Sequence, residues 1–173
     1  GFLAHYGKFE NVQNYVALVG SKSEDLDEKT GYYGEQLVLR AQQLGLNTCW
    51  VALTFKKGAA KSHCRISPDE KLVCLLALGY GKTQGSPRKQ KTIGQICRDE
   101  PKELQNLPDW YRQGMEAALL APTAVNQQKF VFSRRGNIVY AQSTGGFYAK
   151  VDLGIVKYHF EFGAGKDQFI WGK

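Results

Sequence analysis

Apolar and polar positions along this 173-residue chain alternate between strand-like and helix-like spacing. Tyr15–Gly20 (YVALVG) is apolar and β-rich and predicts a buried strand, after a connecting segment over Gly1–Asn14. Ser21–Thr30 is polar and acidic, and Glu24–Glu28 within it reads as a solvated loop. Leu37, Ala41 and Leu44, with Val38 beside them, predict a helix over Gly31–Leu44 that Gly45 stops. Thr48–Leu53 (TCWVAL) is a second extended run, and Phe55–Arg65 reads as a basic loop. Ser67–Glu70 carries Pro68 and two acids, the composition of a helix start or a turn. Leu72–Leu78 (LVCLLAL) is the most apolar run and fits a central strand buried on both faces.

Lys82–Lys91 follows as a Gly/Pro/Lys loop, and Ile93–Asp99 is too short to assign. Trp110, Met115, Ala118 and Leu119 predict a helix over Pro108–Leu120, ended by Pro122. Lys129–Arg134 and Asn137–Gln142 flank Arg135-Gly136 as a hairpin. Val151–Gly163 predicts a third helix with Asp152 in its first turn, and Phe169–Trp171 a short last strand. Because two of the strands meet in a hairpin, the expected class is α+β: a mixed, mainly antiparallel sheet packed with helices. Gly34-x4-Leu39-x-Ala41 is echoed by Gly114-x4-Leu119-x-Ala121, a match that chance explains without a duplication.

Hydrophobic residues make up 43% and charged residues 23%, so the composition is that of a globular chain and not of a disordered one. No apolar run approaches the roughly 18–20 residues of a membrane span, and no membrane partner is expected. The net charge of +7 is spread along the chain and reads as a solubility feature, densest at Lys82–Lys91. That stretch has no interleaved aromatics and no zinc-finger spacing, so it suits a local anion better than nucleic acid. Cys49, Cys64, Cys74 and Cys97 show no CxxC spacing, and His5, His63 and His159 stand far apart, so no metal site is expected. Cys49 and Cys74 lie in apolar runs, where a reduced thiol behaves as a small hydrophobe. A reducing cytoplasm is the expected location. His159, between Tyr158 and Phe160 in a helix, reads as a packed or surface side chain. Tyr32, Tyr33, Trp110 and Tyr111 suit an interface or the core, with core packing the default.

No hydrolase, zinc-protease or nucleotide P-loop motif is present. The informative segments are GYYGE from Gly31, LGLNTCWV ending at Val51, LGYG at Leu78–Gly81 before the basic loop, and APTAVNQQKF from Ala121. Asn and Gln beside a helix end offer both donors and acceptors to a heterocycle, or merely cap the local backbone.

The four segments resemble the flavin-dependent nitroreductase family, although in most of its members the APTAVNQQKF-like segment precedes the LG-type helix. APTAVNQQKF is similar to that family's flavin-contact segment, with Lys129 where proline is usual. The resemblance extends to a divergent branch in which GYYGE comes first and a DxGI…HFE helix closes the chain, here Asp152–Ile155 and His159–Glu161. It implies FMN as cofactor, NAD(P)H as electron donor, hydride transfer through the flavin ring, and a nitro compound or quinone as small-molecule acceptor. It implies that Thr123, Asn126 and Gln128 meet the ring, and that Trp50, Val51, Ala52 and Leu53 lie along it. Arg88, Lys89 and Lys91 fall where a basic residue pairs with the phosphate. A homodimer or an internal pseudo-dimer is implied as well. The family's arginine-rich RRSxRxF opening is not found, so residues 1–173 are expected to form a single nitroreductase-like domain lacking its N-terminal helical segment. The alternative is a cofactor-free small-molecule-binding module of the same fold.

Overall fold

The computed structural model describes residues 12–53, 55, 57–99 and 106–172; most of the segment before Asn14, with His5, lies outside them. The chain divides into two compact units, one built from residues up to 26 and 34–86, the other from 27–33 and 87 onward. Each unit contains a three-stranded sheet, so the expected α+β class holds, with two sheets in place of one.

In the first unit β1 (Asn14–Ser21) and β2 (Asn47–Val51) both pair antiparallel with β3 (Glu70–Gly79). β3 is central, and its residues 72–77 are all buried, as the unbroken apolar run predicts. Val51, Leu72, Leu75 and Ala77 form the core with Ala60. Ala60 belongs to α2 (Lys57–His63), a short helix where a basic loop was expected. Its burial against the sheet supplies the stabilisation that so short a helix lacks by itself. Ser67–Glu70 closes as a turn, with the Glu70 N–H donating to Ser67 O at 3.0 Å, and leads into the strand.

Helix α1 spans Leu26–Gln43, starting five residues before the expected Gly31. Asp27 and Glu28 occupy its first turn, where acids suit the helix dipole, so the second half of the acidic run is helix and not loop. Gly45, at φ +76°, ends it as anticipated. Within the first unit, a Cβ on Gly34 would lie 2.4 Å from the Trp50 ring. The same indole donates its Nε1–H to the buried Glu35 carboxylate at 3.1 Å.

The second unit is built around α5 (Ala149–Ala164), a helix with nine buried residues between its ends. Residues 27–33 of α1 cross it so closely that a Cβ on Gly31 would lie 2.0 Å from Val151 O, and one on Gly154 1.9 Å from Glu28 O. Lys157 Nζ donates to Glu28 Oε1 at 2.5 Å, and the Tyr32 hydroxyl to Glu161 Oε2 at 2.5 Å. On another side lies α4 (Asp109–Leu119), where Gly163 meets Ala117 and Gln113 O while Gly114 lies under the Phe160 ring. Gly163 is therefore an interior contact, and the helix runs past its expected end. At Gly34 and at Gly114 alike an aromatic ring lies on a helical glycine.

β4 (Phe130–Arg135) and β5 (Ile138–Ser143) form the predicted hairpin, and β6 (Ile170–Trp171) adds parallel to β5. The turn is Gly136-Asn137, one residue later than expected, because Gly136 at φ +62° supplies the positive φ at the first central position. Phe160 is fully buried, with the rings of Tyr111, Phe132, Phe169 and Trp171 centred 4.8–5.7 Å away. Of the aromatics whose place was open, Tyr111 is core at 0% exposure and Tyr33 is on the surface at 60%. The short segment α3 (Ile93–Ile96) buries Ile96 and leads to Cys97, which bridges to Phe132. No described helix is long and apolar enough to cross a membrane.

Adding one methyl group at Gly154 or Gly31 places it against backbone, which has no rotamer to yield. Gly154→Ala and Gly31→Ala are each expected to lower unfolding free energy by about 1–3 kcal/mol or more in urea titrations. Gly94→Ala, with nothing within 4 Å of the added carbon, is the control and should leave stability nearly unchanged.

Candidate functional site: a strained polar loop anchored to a buried carboxyl

Between α4 and β4 the chain leaves the helix at Leu120, buries Ala121, and passes through Thr123–Gln128. Ala124–Asn126 forms one 3-10 turn. Three side-chain-bearing residues here have left-handed backbone: Val125 at φ +46°, Asn126 at +54° and Gln128 at +47°. Asn tolerates this region, whereas β-branched valine is an outlier costing about 1–2 kcal/mol.

Hydrogen bonds hold the strain in place. Asp152, in the first turn of α5, is buried and accepts the Ala124 N–H at 3.0 and 3.1 Å on its two oxygens. Gln127 Nε2 donates to Asp152 Oδ2 and to Phe147 O, each at 2.7 Å. Thr123 Oγ1 accepts the Gln128 N–H at 3.0 Å. Gln128 then ties in the basic loop: its Oε1 accepts the Lys91 N–H and its Nε2 donates to Lys89 O, both at 2.9 Å. Asn126 Nδ2 donates to the same Lys89 carbonyl at 2.9 Å, and Lys91 Nζ to Gln128 O at 2.5 Å. Arg88 donates to Leu120 O.

Thr123, Asn126, Gln128, Arg88, Lys89 and Lys91 are thus brought together in the second unit as two loops stitched edge to edge. Thr123 and Gln128 are buried, Asn126, Arg88 and Lys91 half-buried, and Lys89 exposed. Trp50, Val51, Ala52 and Leu53 belong to the first unit. There Val51 is core, Trp50 packs on Gly34, Ala52 is half-buried and Leu53 is 63% exposed.

Sequence reasoning missed Asp152 and Gln127 as site builders. Both stood inside the quoted motifs, but an acid in a helix's first turn reads as a dipole partner, and its contact lies 28 residues back along the chain. Burial pushes the Asp152 carboxyl above its ordinary range, while the Gln127 amide and the Ala124 N–H pull it partway back. Burial likewise raises the Cys49 thiol, leaving it as quiet as its apolar strand implied. His159 is buried in α5, and among the described residues no His, Cys, Asp and Glu group suited to a metal ion occurs.

Chemically, the loop pair offers carboxamides with fixed orientation beside cations, of which Arg88 and Lys91 each donate from the charged end to a backbone carbonyl. Lys91 uses one of its three N–H donors on Gln128 O, an arrangement suited to an anionic ligand carrying a polar heterocycle.

The raised Asp152 carboxyl gives a signed expectation. Folding tightens its hold on a proton, so its contribution is full below the unfolded-state value and is lost as pH rises through the raised folded value. The stability of the wild-type chain minus that of Asp152→Asn, from urea unfolding at successive pH values, should shrink over that rise. A difference that grows with pH contradicts the assignment.

Over residues 1–164 the chain matches the family model described as "Putative TM nitroreductase". It is also similar to the crystal structure of a protein described as "a putative nitroreductase" from Thermotoga maritima. That likeness has a TM-score of 0.67 and 26% identity, over 88% of this chain and 61% of that one. The chain therefore spans about three fifths of the length of that relative. Comparison with curated proteins finds no match. With the family model covering nearly its whole length, and the fold matching a member described in the same terms, the chain belongs to the TM-type nitroreductase family.

Proposed function

We propose that this chain carries the flavin-binding loops of an FMN- and NAD(P)H-dependent oxidoreductase of the nitroreductase type. The observation that carries the reading is the loop pair 88–91 and 123–128, which gathers cations and oriented amides in one place. Its donor chemistry fits FMN: carboxamides for the polar edge of the ring and cations for the phosphate. Bound there, the flavin supplies hydride transfer from NAD(P)H to a nitro compound or quinone.

The chain's residues divide the work. Lys89 and Lys91, with Arg88 beside them, hold the phosphate. The Asn126 amide, fixed by its bond to Lys89 O, orients the ring's polar edge. The exposed Val125 side chain provides an apolar wall. Thr123 and Gln128 spend their polar groups on shaping the loop. Hydride transfer through a flavin requires no protein acid or base, and no side chain is assigned that role.

A second reading, a small-molecule-binding module without flavin, draws support from the same hydrogen bonds. Thr123, Asn126 and Gln128 satisfy one another and the 88–91 backbone without a ligand.

Visible absorption of the purified protein after adding FMN and desalting separates the two. The flavin reading expects a retained yellow band that NADH or NADPH bleaches. A colourless protein whose melting temperature FMN does not raise contradicts it and favours the module. In the same assay, Lys89→Ala and Lys91→Ala are each expected to weaken FMN binding by about 1.5–3 kcal/mol, while riboflavin, which lacks the phosphate, loses little.

A further inference from the structure

We infer that Asp152 is the positioning residue of this site. It never touches the ligand, but it sets where the 123–128 loop, and through it the 88–91 loop, presents its donors to a flavin phosphate and ring. The inference rests on the flavin reading and adds to it a residue that acts from beneath.

The geometry argues for this in three steps. The loop contains three left-handed non-glycine residues, so its observed path is not one its own backbone prefers. The Asp152 carboxyl holds it at two points, the Ala124 N–H and the Gln127 side chain, on either side of the strained Val125 and Asn126. That carboxyl cannot drift, because α5 is locked by the backbone-tight crossing at Gly154, two residues on.

The position then passes outward through named contacts. Asn126 and Gln128 both reach Lys89 O, and Gln128 reaches the Lys91 N–H. On its other flank Gln127 also holds Phe147 O, in a loop where a Cβ on Gly146 would lie 2.1 Å from Gln127 Oε1. Gln127 thus fills a slot that leaves its amide one orientation, Nε2 toward Asp152 and Phe147. A substitute at residue 152 must therefore accept hydrogen bonds. Asparagine retains one acceptor oxygen and alanine none.

The test compares wild type, Asp152→Ala, Asp152→Asn and Gln127→Ala. Trp171→Phe is a destabilised control that loses the indole bond to Glu161, 2.7 Å long, and alters the ring's packing on Phe160, Phe169 and Lys157, all away from the loop. Amide hydrogen exchange without ligand comes first. Asp152→Ala and Gln127→Ala should speed exchange at residues 124–128 and 89–91, leaving β4 and α4 protected, while Trp171→Phe leaves the loop slow. FMN titration by flavin fluorescence, with visible circular dichroism at saturating FMN, comes second. Asp152→Ala should lose about tenfold or more in affinity and show an altered flavin band even when saturated, with Asp152→Asn between it and wild type. Trp171→Phe should match wild type in both. Unchanged loop exchange, or wild-type affinity and band shape in Asp152→Ala and Gln127→Ala, overturns the positioning role with the flavin reading intact. A wild-type protein that binds no FMN overturns the flavin reading itself, and the positioning role toward a flavin with it. If Asp152→Ala does not fold, Gln127→Ala, altered at a half-buried position, decides the question.

Discussion

The buried Asp152 carboxyl, hydrogen-bonded to the Ala124 N–H and the Gln127 amide, is the contact on which the second unit's polar surface depends. Burying a carboxyl is costly, and burial pushes its pKa up further than the two hydrogen-bond partners pull it down. The return is geometric. A loop with valine, asparagine and glutamine in left-handed backbone has no local reason to keep its shape, so the reason must come from outside it. α5 is a suitable anchor. It is buried along most of its length, fixed on one side by glycines that admit the α1 backbone and on another by the aromatic rings around Phe160.

In this light the segments singled out in the sequence are largely structural instructions. In GYYGE, Gly31 admits α5, Tyr32 bonds Glu161, Gly34 makes room for the Trp50 ring, and Glu35 accepts a hydrogen bond from the Trp50 indole N–H. In DLGI, Asp152 holds the loop and Gly154 admits α1. In HFE, Phe160 is the hub of the aromatic core and Glu161 takes Tyr32 on one oxygen and Trp171 on the other. The contacts at these residues allow few substitutes: a methyl group at a backbone crossing, or an apolar atom opposite a buried donor, has nowhere to go.

The fold was readable where local pattern and tertiary role coincide. The LVCLLAL run is central because both its faces are buried, and the Pro108–Leu120 and hairpin readings came within a residue or two of the observed bounds. Readings failed where a distant partner decides. α2 exists because Ala60 enters the sheet core, the early turns of α1 pack backbone to backbone on α5 and pair Glu28 with Lys157, and Gly163 is interior because α4 lies on it. The same holds for the site. Thr123, Asn126 and Gln128 were visible as a polar segment after a helix end. That the Asn126 and Gln128 amides turn toward the 88–91 backbone, with Asp152 supporting the loop from below, depends on contacts 25–39 residues apart that no local spacing encodes.

The most direct test of this account is a pH titration followed by proton–nitrogen NMR, observing the Ala124 amide and the Gln127 side-chain amide together with the Asp152 carboxyl carbon. The account predicts that the Ala124 proton lies downfield and that all three signals move with one shared midpoint, above the ordinary aspartate value of about 3.9. If the two amides do not titrate with the carboxyl, Asp152 does not hold the loop.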